Sequence, residues 1–347
     1  MTGETKQTAL ILGATGGIGG AVARTLQLRG WAIRTLHRDA AKAAAKGPDY
    51  EWVQGDAMKA GDVLAAAQGA SLIVHAVNPA GYRNWGTLVL PMIDNTIAAA
   101  KAIGATVLLP GTIYNFGPDA FPLLHEKSPQ NPVTAKGKIR AEMERRLQEA
   151  SQQGIRVIVV RAGDFFGPGA ANSWFSQGLV TPGKPVATVT YPGTKGIGHQ
   201  WAYLPDVAET MARLIDRRET LAPFAVYHMQ GFWDDDGTKM VAAIRRASGN
   251  PDMKVKAFPW WMMPFISPFV PLLKELREMR YIWQEPLRMP NERLVAAIGA
   301  EPWTPIDEAV RTSLVALGCL PPETVLPQRA LPAPRTSGPV EVARVSS

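Results

Sequence analysis

Ala9-Leu-Ile-Leu-Gly-Ala-Thr-Gly-Gly-Ile-Gly-Gly20 is the stretch from which the rest of this chain can be read. Four apolar residues make a short buried strand, a glycine turn follows, and a helix runs on through Ala21 to Leu28. Gly13, Gly16 and Gly19 recur at every third position. The first permits a tight turn, the second lets backbone N–H groups approach a pyrophosphate, and the third lets helix pack on strand. The helix N-terminus adds its partial positive charge to bound phosphates. With Thr15, Gly17 and Ile18 filling the turn, residues 13–19 are the expected phosphate-binding surface for a dinucleotide.

The next strand bears on which dinucleotide. Trp31-Ala-Ile-Arg-Thr-Leu36 reads as strand two, and a site preferring NAD sets Asp or Glu at its end for the ribose hydroxyls. Here His37 and Arg38 come first and Asp39 one step later. An arginine suits a 2′-phosphate through charge-assisted bonds, whereas a carboxylate repels it. NADP is the expectation, and Asp39 keeps NAD open. Val53-Gln-Gly-Asp56 reads as a third strand whose carboxylate, with Ala57 beside it, could meet the adenine amino group. Ser71-Leu-Ile-Val-His-Ala-Val77 is the fourth, bringing Ala76 beside the cofactor, with His75 read as packed.

Strands continue to alternate with helices: Thr106–Leu109 and Arg156–Val160 follow, with helices at Asp62–Gln68, Thr87–Ile103 and Thr134–Gln153. That alternation predicts an α/β protein, a Rossmann-type doubly wound parallel sheet with ligand at the carboxyl ends of the strands. From Gly167 the pattern loosens into Pro- and Gly-rich loops, short helices (Pro205–Arg217, Thr238–Ser248) and an aromatic segment. The expected organisation is an NAD(P)-binding domain over 1–166 and a smaller C-terminal substrate lobe over 167–320, interleaved with it. Residues 321–347, with six prolines and few large apolar residues, read as a disordered tail.

Composition narrows the partners. The net charge of +7 in 347 residues is not gathered in a run. Arg140, Arg145 and Arg146 interleave with Glu142, Glu144 and Glu149 as a solvated helix face would, which argues against nucleic acid. The five histidines lack metal-ligand spacing, so no metal is expected. Cys319 is the lone cysteine, and the polar start runs straight into a strand, so a cytoplasmic protein is expected. Residues 257–273 carry no charge, but Pro259, Pro264, Pro268 and Pro271 interrupt any spanning helix. The segment reads as a lobe wall or homodimer contact; an apolar pocket wall and a membrane-surface contact are the alternatives.

Taken together these landmarks resemble the extended short-chain dehydrogenase/reductases, the NAD-dependent epimerase/dehydratase group, over roughly residues 7–230. The likeness rests on Gly13–Gly19, on Arg161-Ala-Gly-Asp-Phe-Phe-Gly-Pro-Gly169, and on Trp201-Ala-Tyr-Leu-Pro-Asp-Val-Ala208. It implies oxidoreductase or epimerase chemistry on a carbonyl or secondary alcohol of a small-molecule substrate. The family's working groups are a Tyr-x-x-x-Lys pair on a helix and a Ser or Thr after strand five. The lysine holds the ribose and eases the tyrosine's ionisation. In Leu108-Leu-Pro-Gly-Thr112 the hydroxyl is present as Thr112. In Pro132-Val-Thr-Ala-Lys-Gly-Lys-Ile-Arg-Ala-Glu142, Lys138 falls four before Glu142, as the family's lysine does, and Thr134 stands where tyrosine is expected. A threonine hydroxyl is a far weaker acid than a phenol of pKa about 10. Tyr191 and Lys195 match the spacing literally, but Pro192 and Gly193 lie between them and preclude a helix. Tyr114, Tyr82 and Asp164 are the candidate replacements, and each could instead only line the pocket or make a structural bond. Trp201 is expected among the substrate-lobe tryptophans. A protein that binds NADP(H) for sensing or regulation, without turnover, is the alternative reading.

Overall fold

In the computed structural model, residues 6–79, 84–266 and 277–322 are described. The main sheet takes β1 (Thr8–Leu12), β2 (Ala32–His37), β3 (Glu51–Gln54), β4 (Leu72–His75), β5 (Thr106–Gly111) and β6 (Val157–Arg161) from the first half of the chain. The helices there are α1 (Gly17–Leu28), α2 (Ala40–Ala44), α3 (Ala60–Ala67), α4 (Trp85–Ile103) and α5 (Ala135–Ser151). Downstream come β7 (Asp164–Phe166), β8 (Thr188–Tyr191), β9 (His199–Tyr203), α6 (Leu204–Asp216), β10 (Phe224–His228), β11 (Phe232–Asp234), α7 (Lys239–Ser248) and β12 (Lys254–Ala257). Helices Glu292–Ile298 and Ile306–Ala316 follow.

Seven strands lie in the order β3-β2-β1-β4-β5-β6-β10, and every neighbouring pair is parallel. The order reverses between β1 and β4, which sets the ligand crevice of such a sheet outside those two carboxyl ends. Successive side chains of a strand point to opposite faces. Ala9 and Ile11 accordingly pack with Leu72, Val74 and Leu108 beneath α1 and α6. Leu10 and Leu12 join Ile73, Val107, Val157 and Val159 beneath α3, α4 and α5. Burial on both faces is why these strands are runs of Val, Ile and Leu without polar alternation.

A further core gathers around Phe166, Trp174, Phe175, Trp201, Trp283, Ile244 and Leu314, and takes Ile113, Phe116 and Leu124 from the segment after β5. The strands around it form a three-stranded sheet (β11-β9-β7) and a two-stranded one (β12-β8). Each is three to five residues long, too short to show a period in the sequence. The seventh strand of the main sheet, β10, lies inside the 167–320 range, as does α6, which packs on α1.

Within the uncharged segment, Phe258 and Trp260 pack on Trp174, and the Trp260 indole N–H donates to Pro192 O at 2.7 Å. Trp261 and Phe265 are each 73% exposed. Residues 267–273 of that segment, Tyr82, and 323–347 of the expected tail lie outside the described residues. Among the described residues no helix is long and apolar enough to cross a membrane.

Candidate cofactor cleft and active site

Gly13, Gly17 and Gly19 of the turn leave no room for a side chain. A Cβ on Gly13, which has φ +95°, would fall 2.5 Å from Ala76 O, and one on Gly19 would fall 2.2 Å from Gly13 O. The turn is closed by Gly16 N donating to Gly13 O at 3.0 Å. Gly17 is equally constrained, with Gly169 O 2.7 Å from its Cβ position, so the loop after β7 packs directly on the start of α1. Thr15 and Gly16 are exposed at the surface of the turn. A backbone packed this closely, aimed along a helix N-terminus, fits a pyrophosphate.

Around the turn, Arg38 is exposed at the end of β2. Asp39 caps α2, its carboxylate accepting from Lys42 N at 3.1 Å. Asp56 likewise shapes its own loop, accepting from Met58 N at 3.0 Å, while Ala57 O accepts from Asn95 at 2.9 Å. Ala76 continues β4 through N–H donation to Leu12 O at 2.9 Å. His75 is buried and pairs with the Thr96 hydroxyl at 2.8 Å. Burial, with the Arg140 guanidinium adding to it, pushes His75 down to about 3, so it is neutral and structural. Its sequence reading as a packed residue agrees.

Beyond β5, the Thr112 hydroxyl oxygen accepts from Tyr114 N at 2.8 Å. That bond leaves the Thr112 proton able to donate outward. Tyr114 is half-buried, and its carbonyl lies against α5: a Cβ on Gly137 would fall 2.3 Å from Tyr114 O.

α5 itself adopts a different register from the one expected. Thr134 is its N-cap, with Oγ1 accepting from Gly137 N at 3.0 Å, so the hydroxyl is engaged in starting the helix. Lys138 is exposed. It shares its side of the helix with Glu142, Arg145 and Glu149, which pair with one another in solvent. The inward face is set by Met143, Leu147 and Ala150, all buried. Counting back from Met143 by three and then four gives Arg140 and Lys136, not Lys138. Lys136 is 4% exposed, and both cations lie over Trp85 at the start of α4, Nζ at 6.0 Å and the Arg140 Cζ at 5.1 Å from the ring centroid. The sequence reading aligned on Glu142, whereas the buried glutamate is Glu144. The periodicity of Met143 and Leu147 was the signal that could have found this pair.

Glu144 accepts from Arg161 Nε at 3.1 Å and Arg161 Nη2, and from Gln130 at 3.2 Å. Arg161 also reaches His228 Nε2 at 3.0 Å and stacks on Phe116 at 4.9 Å. His228 passes its other ring proton toward Leu124 O at 3.2 Å, and burial followed by Arg161 holds it down at about 3. This buried network ties α5, β6 and β10 to the loop preceding α5.

In the three-stranded sheet, Asp164 accepts from His199 at 2.8 Å, and that imidazole lies flat on Trp283 at 3.6 Å. Asp164 is thereby engaged in a bond between β7 and β9. Trp201, expected at the substrate wall, is fully buried among Phe166, His199 and Trp283 because β9 runs between β7 and β11. It is a core residue. Tyr191 is buried in β8 and Lys195 exposed in a loop, so that literal match brings no pair together. Burial, with Asp234 adding to it, raises Tyr191 far above the usual phenol range.

The fold is shared with solved structures of low sequence identity. A putative epimerase from Burkholderia cenocepacia superposes with TM-score 0.68 at 18% identity, covering 91% of this chain and 99% of its own. A UDP-N-acetylglucosamine 4-epimerase from Bacillus cereus gives 0.66 at 15%, over 88% and 94%. The Bordetella bronchiseptica enzyme WbmH, solved in complex with NAD+, gives 0.66 at 16%, over 90% and 98%. No curated protein sequence matches the chain. The family model for the NAD-dependent epimerase/dehydratase family matches residues 9–229, most of the main sheet and the cleft at its edge. The chain belongs to that family.

Proposed function

We propose that this protein is a nicotinamide-dependent oxidoreductase or epimerase acting on a carbonyl or secondary alcohol, with NADP preferred over NAD. One observation carries the reading: the glycine turn, Ala76 and the Thr112–Tyr114 loop sit at the carboxyl ends of β1, β4 and β5. A cofactor held by its pyrophosphate on residues 13–19 would extend from there toward Thr112. The cofactor, when bound, supplies or accepts hydride; the protein supplies orientation and proton handling. Thr112 donates its hydroxyl proton to the substrate oxygen, and Tyr114 moves the proton that accompanies hydride. Arg38, exposed beyond β2, suits a 2′-phosphate, and Asp39 is engaged as a helix cap. Solved relatives by fold include an enzyme in complex with NAD+ and UDP-sugar epimerases, which supports a nicotinamide cofactor and a small-molecule substrate.

A second reading has its own support. α5 carries no tyrosine on any turn, as a protein that binds the cofactor without turnover would not need one. Incubation with NADPH deuterated at the transferring position and a panel of aldehydes and ketones separates the two. The expected result is deuterium in an alcohol product, with Tyr114→Phe slowing transfer at least ~100-fold while leaving NADPH affinity intact. Tight binding with no transfer to any carbonyl favours the regulatory reading. Full activity in Tyr114→Phe removes Tyr114 from the reaction.

A further inference from the structure

The short helical stretch over residues 260–266, just after β12, is apolar on both of its sides. Its inward side is anchored: Trp260 packs on Trp174 and donates its indole N–H to Pro192 O, and Met263 is buried. Trp261 and Phe265, four apart and so on one side of the turn, are the two most exposed aromatic side chains among the described residues. Pro264 beside them is exposed as well. A single exposed apolar residue is ordinary, whereas an outward face with no polar group, held in place by an anchored inward one, marks a surface that another body covers.

The charges around this face have one sign. Between Asp252 and Glu275 the chain holds no carboxylate side chain. Lys254 and Lys256 on β12 are exposed, as are Arg277 and Arg280. Arg280 is brought back to the segment by stacking on Trp260, its Cζ 5.6 Å from the ring centroid. Glu278, between the two arginines, is half-buried.

We propose that this face docks on an anionic lipid bilayer, with Trp261 and Phe265 entering the boundary between headgroups and acyl chains and Lys254, Lys256 and Arg280 meeting the lipid phosphates. Aromatic side chains settle at that boundary, and each cation beside a charged leaflet strengthens partitioning by about fivefold. Pro259 and Pro264 keep the element short, so it lies in the surface and does not cross it. A second copy of the chain fits the face less well. A self-facing contact would set Lys254, Lys256 and Arg280 against their own counterparts, like charge against like. Docking needs none of the groups assigned to cofactor or reaction, so it stands apart from the nicotinamide reading.

The test is co-sedimentation of the full chain with vesicles of phosphatidylglycerol and phosphatidylcholine in equal parts, and with phosphatidylcholine alone. Binding to the mixed vesicles is expected to be at least ~10-fold tighter than to the neutral ones, and to weaken as salt rises. Trp261→Ser with Phe265→Ser is expected to weaken it at least ~10-fold, and Lys254→Glu with Lys256→Glu by a comparable factor. All four side chains are exposed, so thermal melts should stay unchanged. Phosphatidylcholine brominated along its acyl chains should quench tryptophan emission in the wild type, and less so in Trp261→Phe, which keeps an apolar ring at the face. No sedimentation with the mixed vesicles, equal binding to neutral ones, full binding after the Trp261 and Phe265 changes, or equal quenching in Trp261→Phe each overturns the proposal. A dimer in sedimentation velocity that those two changes dissociate also overturns it, and gives the face to a second copy.

Discussion

Replacing Gly19 by valine is expected to abolish measurable NADPH binding, with a loss of affinity of at least ~100-fold. The cause is local and steric. The first carbon of any side chain at 19 would sit 2.2 Å from Gly13 O and 2.8 Å from Gly13 C, both backbone atoms. Gly13 cannot retreat, because its own Cβ position already lies 2.5 Å from Ala76 O in the adjoining segment after β4. Relief comes only by moving the start of α1 away from β1, which opens the turn and misdirects the N–H groups that would meet the pyrophosphate. The displaced helix also uncovers Val22 and Leu26 from the core, so a stability loss of about 2–4 kcal/mol accompanies the binding loss. Gly61 in α3 is the control, since a Cβ there meets nothing within 4 Å. Gly61→Ala is expected to stabilise by ~0.5–1 kcal/mol and leave binding unchanged. Fluorescence titration and urea unfolding check both variants.

Glu144→Gln is expected to cost about 3–5 kcal/mol of stability, since it removes the negative charge facing a buried guanidinium. Arg161 is 1% exposed, and its remaining partners are the neutral His228, the carbonyl of Glu126 at 3.4 Å and the face of Phe116. None of these supplies a countercharge. Losing the pair also loosens the loop that ends at Thr134 and starts α5, because Gln130 holds both Glu144 and Asn115 (2.9 Å). Glu142→Gln, two residues away, removes a carboxylate with two arginine partners but lies on the solvated side, where such pairs contribute about 0–1 kcal/mol. Urea midpoints for the two variants, at equal pH, should therefore separate widely. Comparable midpoints would mean that Arg161 finds another partner or reaches water.

The contrast between these two glutamates also marks how far the chain could be read before its structure. Both faces of the main sheet were legible, because β1, β4, β5 and β6 are apolar runs and Gly13, Gly16 and Gly19 give a turn that only close backbone packing explains. The short strands β7, β8, β9, β11 and β12 were not, since a three- to five-residue strand carries too little periodicity. β10 escaped for a different reason: it returns to the main sheet from within a stretch dominated by loops. In α5 the difficulty was register. The expected spacing of a cation four residues before a glutamate occurs twice, as Lys138 with Glu142 and as Arg140 with Glu144. Only the burial of Met143 and Leu147 decides which pair faces inward. Trp201 and Asp164 stood in the right motifs, but whether such residues meet a ligand or a core depends on Trp283, far away in sequence.

The most direct measurement is a titration of the wild-type chain with NADPH and with NADH, followed by nicotinamide fluorescence and repeated with Arg38→Ala. The expected result is saturable NADPH binding, NADH at least ~10-fold weaker, and a preference that collapses in the variant, since the 2′-phosphate would lose its charged partner. Saturable binding of NADH in preference to NADPH would contradict the role given to Arg38. Absence of binding by either nucleotide would contradict the account at its centre, leaving the glycine turn as a packing device alone.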